Sequence, residues 1–422
     1  MAPWTHTYLS PQTERRMCCA SREPAQNFRQ YIDTDAGTGE YIPITLEQHW
    51  NSDHMRSVRR RMMSGEKLPE CEVCNDKLLN TSVYRDYFWH LFKHHYSQIW
   101  ETTDETGATT MRPVSWDYRF SNLCNFKCRT CGDMLSSAWE TEERKYNMID
   151  WKDSKNHWLM PKVRRQISAF QDSQIEKEFS QAVEEHRVEE VYWVGGEPLM
   201  YEQHWRYMRR IIELGDGGKV YARYNTNLSR IEYGGWNLYK DILLGIRDWQ
   251  ICASLDGTGK IGEYIRTGLD YEQWKKNFAA GIDIQRHAFQ MRIDFTLTLP
   301  GLFELFRIQD LAKEFNVSIL AKVIFSFTPD IVLSPLALPR DILNARIDKL
   351  VEQLDHGEIK NILLQLKQRP TFEEQWPTTF AEGLSKGKER LQKIERIRGG
   401  TTMEEILLEN DKEIYEWWQN IR

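Results

Sequence analysis

Three cysteines near the centre of the chain fall in one short segment, at the spacing C-x3-C-x2-C. They are Cys124, Cys128 and Cys131, and the 422-residue chain contains only eight cysteines. Three thiolates from one short segment can converge on a single metal centre, but they fill only three of four tetrahedral positions. A closed four-ligand site supports structure, whereas an open position allows chemistry. A structural zinc site completed by Asp133 or by a distant histidine is the alternative interpretation.

A Gly-Gly-Glu-Pro turn follows the strand-like run at 189–194. Gly195 and Gly196 allow the backbone to approach a ligand closely and to adopt positive φ angles. Glu197 then supplies an acceptor for hydrogen bonds. An ordinary glycine turn with a solvated glutamate is the alternative, and the residues of this turn alone do not decide between the two.

Two later strand-like runs also end in small polar residues. Asn227 follows the third run of the central region, and Ser254 and Asp256 lie at the end of the fourth. Hydroxyl and carboxylate groups in such turns can accept hydrogen bonds from ribose hydroxyls, although Asp-Gly is also a common turn pair. Arg266 carries a guanidinium that suits bidentate pairing with a carboxylate. An exposed helix position is the alternative for this arginine.

Six short runs with strand-like composition must position these motifs. They alternate with longer helix-like stretches and lie at 114–120, 189–194, 219–224, 249–254, 291–298 and 318–325. This alternation predicts parallel βα units, and six units predict an α/β fold, a partial (β/α)6 TIM-like barrel. Loops at the carboxyl ends of parallel barrel strands converge on one mouth. We therefore expect the cysteine segment and the polar turns to lie near one another.

The cysteine spacing, followed by the Gly-Gly-Glu-Pro and Ser-Leu-Asp-Gly turns, resembles the radical S-adenosylmethionine enzymes. The resemblance implies that the three cysteines bind three irons of a [4Fe-4S] cluster, whose fourth iron chelates the amino and carboxylate groups of S-adenosylmethionine. One departure is Thr130, which stands where the family commonly has an aromatic residue. The resemblance also implies that Gly195, Gly196 and Glu197 contact the methionine amino group of the cofactor. It implies that Asn227, Ser254 and Asp256 contact the ribose. It implies that Arg266 pairs with the cofactor carboxylate.

The same resemblance implies an activity. A reduced cluster cleaves S-adenosylmethionine to methionine and a 5'-deoxyadenosyl radical, which abstracts a hydrogen atom from a substrate. The implied partner is a one-electron reductant such as flavodoxin or ferredoxin. The sequence does not identify the substrate. Modification of RNA or of a nucleoside, and a non-catalytic iron–sulfur or zinc-binding protein, are the alternative functions.

Four further cysteines lie before the central region: Cys18, Cys19, Cys71 and Cys74. Their order and spacing resemble the auxiliary region of the twitch and SPASM subgroups of the same family. The resemblance implies a second iron–sulfur cluster and a peptide or protein substrate, since relatives with that region often act on peptides. The early cysteine that often precedes the Pro-Trp pair is absent here. A zinc site, a redox pair and a degenerate site remain open alternatives.

Domain organisation follows from these patterns. We predict an N-terminal auxiliary region at 1–110, the barrel at 111–330 and a helical C-terminal extension at 331–422. A hydrophobic content of 41% supports a substantial core, and the net charge of −6 gives no general case for nucleic-acid binding. No apolar run approaches the roughly 20 residues that span a bilayer, and the N-terminus lacks the apolar core of a secretion signal. Clustered cysteines favour a reducing compartment, so we expect a soluble, cytoplasmic protein.

Overall fold

The computed structural model describes residues 1–21, 41–74 and 83–422. The chain divides into two compact units. The first unit comprises Met1–Cys124, Asp133–Tyr224 and Glu232–Trp249, and the second comprises Asn125–Gly132, Asn225–Ile231 and Gln250–Arg422. The cysteine segment itself is therefore divided, because Cys124 belongs to the first unit and the other two cysteines belong to the second.

Most strands are short, as expected for a parallel sheet with helical connections. They are β1 (His6–Leu9), β2 (Arg15–Arg16), β3 (Ser115–Tyr118), β4 (Lys127–Cys128), β5 (Glu190–Trp193), β6 (Tyr221–Thr226), β7 (Glu232–Tyr233), β8 (Trp236–Asn237), β9 (Asp248–Ser254), β10 (Arg266–Thr267), β11 (Met291–Leu297) and β12 (Ser318–Val323). Strands β6 and β9 each have residues in both units.

In the first unit, β1, β3, β5 and β6 are parallel neighbours, and β2 is antiparallel to β1. In the second unit, β9, β11 and β12 are parallel neighbours. A separate antiparallel pair in the second unit joins β4 to β10. The six predicted strands correspond to β3, β5, β6, β9, β11 and β12, so the predicted α/β fold class is confirmed. Strand β1 adds a parallel neighbour that the sequence did not predict.

Helices follow most of these strands. In the N-terminal half they are α1 (Ala2–Thr5), α2 (Leu46–Trp50), α3 (Asp53–Met63), α4 (Val83–Phe92), α5 (Tyr96–Thr102), α6 (Ser137–Lys145), α7 (Pro161–Phe170), α8 (Glu176–Glu184) and α9 (Glu202–Glu213). In the C-terminal half they are α10 (Gly259–Ile265), α11 (Tyr271–Ile282), α12 (Leu305–Glu314), α13 (Arg340–Gln353), α14 (Glu358–Gln368), α15 (Phe372–Gln375), α16 (Phe380–Arg398), α17 (Met403–Asn410) and α18 (Lys412–Asn420). The predicted helical character of the C-terminal stretch is confirmed.

The two faces of the first unit's strands differ in polarity. Alternate residues such as Trp116 and Trp193 are buried, and both pack on Phe179 of α8, with ring centroids 5.4 and 6.0 Å away. The intervening residues on the opposite face include charged groups, among them Asp117 and Arg223. Because both faces of a parallel sheet are usually apolar, a polar face indicates a position for function rather than for core packing. Within the described ranges, every helix is too short or too polar to cross a membrane.

Candidate functional site

In the first unit, the Gly-Gly-Glu-Pro turn lies directly on the backbone that leads into Cys124. A Cβ atom added to Gly196 would lie only 2.2 Å from the carbonyl oxygen of Leu123. The backbone N–H of Glu197 donates to the same oxygen at 2.7 Å. The second glycine of the turn is therefore required by a close backbone approach, and this turn fixes the entry to the cysteine segment.

Tyr201 connects the same two stretches of backbone. Its hydroxyl accepts a hydrogen bond from the Gly196 N–H at 2.7 Å and donates to the carbonyl of Ser121 at 2.6 Å. Burial raises the pKa of Tyr201 above its usual range, which keeps the hydroxyl protonated as this donation requires. Gly195 has φ +126°, a value that other residues rarely adopt, and its Cβ would lie 2.8 Å from the Tyr201 hydroxyl. Tyr201 belongs to none of the sequence motifs described above.

Glu197 and Cys124 are each held by local hydrogen bonds. Glu197 is only 1% exposed, and its carboxylate accepts from the Leu199 N–H at 3.0 Å, which caps the 3-10 turn Pro198–Met200. The Cys124 N–H donates to Ser137 Oγ at 3.2 Å, at the start of α6. These bonds fix the backbone on both sides of the first cysteine. The contact between Glu197 and a methionine amino group stays a prediction.

In the second unit, Cys128 and Arg266 are opposite one another in the β4–β10 ladder. The Arg266 Nη1 atom lies 4.0 Å from Cys128 Sγ. Burial raises the pKa of the Cys128 thiol, and the nearby guanidinium opposes this shift. Cys131 is half-buried, and its N–H donates to the Cys128 carbonyl at 3.1 Å. Two of the predicted ligands are thus in one tight turn beside a cation that favours thiolate.

Asp256 lies on the other side of the Arg266 guanidinium. Its carboxylate is fully buried and contacts Arg266 Nε at 2.9 Å and Nη2 at 3.0 Å. It also accepts from the Thr296 N–H at 2.9 Å. Burial alone would lower the pKa of Arg266, but the nearby acidic groups Asp256, Cys128 and Asp294 together raise it above its usual range. Asp256 thus orients the arginine, and a contact between Asp256 and a ribose stays a prediction.

Asn227 joins its own turn to the cysteine segment within the second unit. Its Nδ2 donates to Asn125 Oδ1 at 3.0 Å, and its Oδ1 accepts from the Ser229 N–H at 3.0 Å. Asn125 directly follows Cys124 in the chain, so this contact fixes the first part of the segment. Ser254 is half-buried at the end of β9. The ribose contacts of both residues stay predictions.

Helix α16, which belongs to the C-terminal extension, contacts the cysteine segment inside the second unit. Arg398 Nη1 donates to the Lys127 carbonyl at 2.8 Å, across 271 positions of sequence. Nearby, Arg129 stacks on the Tyr264 ring at 3.8 Å, and the Tyr264 hydroxyl donates to Glu395 of α16 at 2.7 Å. These residues carry no motif, so the sequence alone did not indicate a role for the C-terminal extension. The structure makes it a support for the segment.

The four N-terminal cysteines all lie in the first unit. Cys18 packs with Phe88 and Phe92, whereas Cys71 packs on a separate apolar cluster. Burial raises the pKa of Cys19 to about 11, with Asp117 adding to the shift and Arg119 opposing it. Cys74 is half-buried beside the undescribed residues 75–82. A second iron–sulfur cluster at these cysteines stays a prediction.

The polar face of the first unit's strands carries a buried network that the sequence analysis missed. His6 Nδ1 lies 2.6 Å from Ser115 Oγ, and Ser115 donates to Glu190. Tyr87 also donates to Glu190, at 2.7 Å, and the Arg223 guanidinium stacks on the Tyr87 ring at 4.1 Å. Burial lowers the pKa of His6 to about 3, so this histidine is neutral. Strand alternation was the available signal, because Ser115 is on the same face of β3 as Asp117, and Glu190 is on the same face of β5 as Tyr192.

No family model and no curated protein matches the chain. Among solved structures, it is similar to Streptococcus suis SuiB at 15% identity and TM-score 0.36, over 74% of this chain and 61% of that chain. For SuiB bound to S-adenosylmethionine the identity is 14% and the TM-score 0.35, over 72% of this chain and 59% of that chain. For SuiB bound to precursor peptide SuiA the identity is 14% and the TM-score 0.35, over 78% of this chain and 69% of that chain. The chain thus spans less than two thirds of the length of SuiB in the first two of these structures.

Proposed function

We propose that this protein is a radical S-adenosylmethionine enzyme whose Cys124, Cys128 and Cys131 hold a [4Fe-4S] cluster. One observation carries the proposal: the Gly-Gly-Glu-Pro turn lies so close to the backbone entering Cys124 that only glycine fits at position 196. A cofactor held jointly by a cluster and a strand-end turn needs this juxtaposition. When bound, the cluster supplies the electron that cleaves S-adenosylmethionine to methionine and a 5'-deoxyadenosyl radical.

The residues around the cysteines would tune and orient this site. Metal binding requires thiolates, and Arg266 beside Cys128 offsets the cost of forming negative charge in a buried position. Asp256 holds the guanidinium in place before the cofactor binds. Arg266 would therefore lose little side-chain conformational entropy when it binds the cofactor carboxylate. A preorganised cation of this kind is also a geometric match for a carboxylate.

The remaining cofactor contacts follow from the strand-end turns. Gly195, Gly196 and Glu197 are the proposed contacts of the methionine amino group. Asn227 and Ser254 are the proposed ribose contacts, and we propose that Asp256 acts mainly through Arg266. Each of these residues is at the carboxyl end of a strand or in the turn after it, where barrel enzymes place their chemistry.

We propose a peptide or protein as the substrate. The resemblance of Cys18, Cys19, Cys71 and Cys74 to an auxiliary-cluster region supports this class, with a second iron–sulfur cluster at those residues. The polar strand face around Glu190 supplies hydrogen-bonding groups of the kind that orient a polar substrate. A flavodoxin or ferredoxin is the proposed electron donor.

The cysteine assignment is tested by anaerobic reconstitution of Cys124→Ala, Cys128→Ala and Cys131→Ala. Each variant should lose the cluster absorbance and the formation of 5'-deoxyadenosine from S-adenosylmethionine. The matched control is Cys252→Ala, since Cys252 is a buried core residue of β9 and should keep both. Full cofactor cleavage in any one of the three loop variants would exclude the proposal, and zinc in place of iron would favour a structural site.

Substrate class and the second cluster need separate measurements. Iron and sulfide should be determined in the wild type and in Cys71→Ala, where loss of about one cluster's iron supports the auxiliary site and equal iron contradicts it. Formation of 5'-deoxyadenosine with peptide-rich and RNA-rich extracts then separates the substrate classes. Stimulation by RNA alone would replace the peptide proposal with RNA modification.

A further inference from the structure

Two adjacent histidines in the first unit present their rings on the same side of a helix break. Helix α4 ends at Phe92, whose φ and ψ of −123° and 12° leave the helical region, and a 3-10 turn covers Lys93–His95 before α5 begins. Neighbouring side chains on a regular α-helix point about 100° apart. Here the His94 and His95 ring centroids are only 4.1 Å apart. The break therefore brings together two side chains that a continuous helix would separate.

Glu189 completes the group from a distant part of the sequence. It directly precedes β5, and its backbone N–H donates to the Val114 carbonyl at 2.8 Å, which fixes its position. Its two carboxylate oxygens contact different histidines, His95 Nε2 at 2.8 Å and His94 Nε2 at 2.9 Å. Glu189 is far from both histidines in the sequence, so local spacing does not indicate a third metal ligand. The partner exists, 94 positions away from His95.

The second ring nitrogen of His95 is held as in a metal ligand. Its Nδ1 lies 2.9 Å from Gln98 Oε1. Metal-binding histidines usually donate their other N–H to an oxygen in this way, which fixes the tautomer that offers the opposite nitrogen to the metal. If Nδ1–H donates to Gln98, a neutral ring directs the Nε2 lone pair at a carboxylate. A proton or a cation must then lie between them.

We propose that His94, His95 and Glu189 form a binding site for a divalent first-row transition-metal ion. Two imidazole nitrogens and one carboxylate oxygen are a ligand set typical of zinc and of iron(II), and no sulfur is involved. The three ligand atoms lie within 4.8 Å of one another, and among the described residues this is the only such group of His, Cys, Asp and Glu. His94 is 55% exposed, so water can fill the remaining coordination positions. The ion links the α4–α5 break to the start of β5.

This site does not depend on the proposed enzyme activity. Its ligands are nitrogen and oxygen atoms, and none of the eight cysteines belongs to it. Co²⁺ is therefore a suitable probe, since a nitrogen and oxygen site lacks the intense thiolate-to-cobalt absorption that a cysteine site produces. The full chain should be titrated after reconstitution, so that the cluster cysteines are already occupied.

The test compares the wild type with His95→Gln, Glu189→Gln and the control His90→Gln, which changes an exposed histidine in α4. The wild type and the control should bind one equivalent of Co²⁺ with weak visible bands and no thiolate absorption. His95→Gln and Glu189→Gln should bind Co²⁺ at least about tenfold more weakly, because even the loss of a residue that only hydrogen-bonds to a metal ligand commonly lowers metal affinity by that factor. Equal affinity in all four proteins, or a thiolate spectrum that these substitutions do not alter, would overturn the proposal.

A second measurement protects the result against misfolded variants. Zn²⁺ should raise the melting temperature of the wild type and of His90→Gln, because a ligand that binds only the folded state stabilises it. The same addition should leave His95→Gln and Glu189→Gln unchanged, while all four proteins melt cooperatively in a chelator. An equal zinc-induced shift in every protein would place the ion elsewhere and contradict the assignment.

Discussion

Gly196→Ala is the sharpest test of how the strand-end turn supports the cysteine segment. The added Cβ would lie 2.2 Å from the Leu123 carbonyl oxygen and 2.7 Å from its carbonyl carbon, whereas real Cβ contacts essentially never fall below 3.0 Å. One of the two backbones must therefore move by about 0.8 Å. Both partners are backbone atoms, so no side-chain rotation relieves the overlap. The stretch that moves carries Cys124 at its end.

The expected cost follows from overpacking. Forcing an extra methyl group into a filled space typically costs about 1–3 kcal/mol, and a backbone contact belongs at the upper end because it cannot rotate away. The displacement should also impair cluster assembly, since metal sites tolerate only small shifts of their ligands. We expect a lower melting temperature, less iron after anaerobic reconstitution and little 5'-deoxyadenosine.

Gly132→Ala is the matched control, because Gly132 directly follows Cys131 in the other half of the same segment. Nothing lies within 4 Å of a Cβ at that position, and its φ is not in the left-handed region. This substitution should change stability by no more than about 0.5 kcal/mol and should keep iron and activity. Wild-type iron content, activity and melting temperature in Gly196→Ala would show that the close approach does not constrain the site.

Three further predictions concern other contacts. Asp256→Asn breaks the buried ion pair with Arg266, a change that typically costs about 3–5 kcal/mol. It should lower the melting temperature and weaken the binding of S-adenosylmethionine measured by calorimetry. Unchanged binding would contradict the orienting role of Asp256. Arg398→Ala removes a charged hydrogen bond to the cysteine segment, worth about 1.5–3 kcal/mol, so the protein should retain less iron. The control is Arg396→Ala, which changes an exposed arginine of the same helix and should retain as much iron as the wild type. The hydrogen bond with Glu189 raises the pKa of His95. With a chelator present, the stabilisation that this bond gives to the folded protein is complete below the unfolded pKa of about 6.5 and is lost as pH rises through the folded pKa. The difference in melting temperature between the wild type and His95→Gln should therefore shrink between pH 6 and 8, and a growing difference would refute this sign.

The sequence by itself determined the features that depend on local periodicity and residue type. Six runs predicted parallel strands, and β3, β5, β6, β9, β11 and β12 lie at those runs. The helical C-terminal stretch was equally predictable, because its apolar residues recur at helical spacing. The polar motifs were placed at strand ends for the same reason. Strand β1 was missed, since four residues between a short helix and a turn give too little periodicity.

Only the tertiary structure decided which distant residues meet. Arg398 bonds to the segment of Cys128 across 271 positions, and Glu189 meets His95 across 94. Local spacing carries no information about such pairs, because the folding of the intervening chain sets their distance. The contact between Asp256 and Arg266 was decided in the same way, because the β4–β10 ladder positions the arginine whose guanidinium lies beside the Asp256 carboxylate. Residue type limits the chemistry of a side chain, and packing selects its partner.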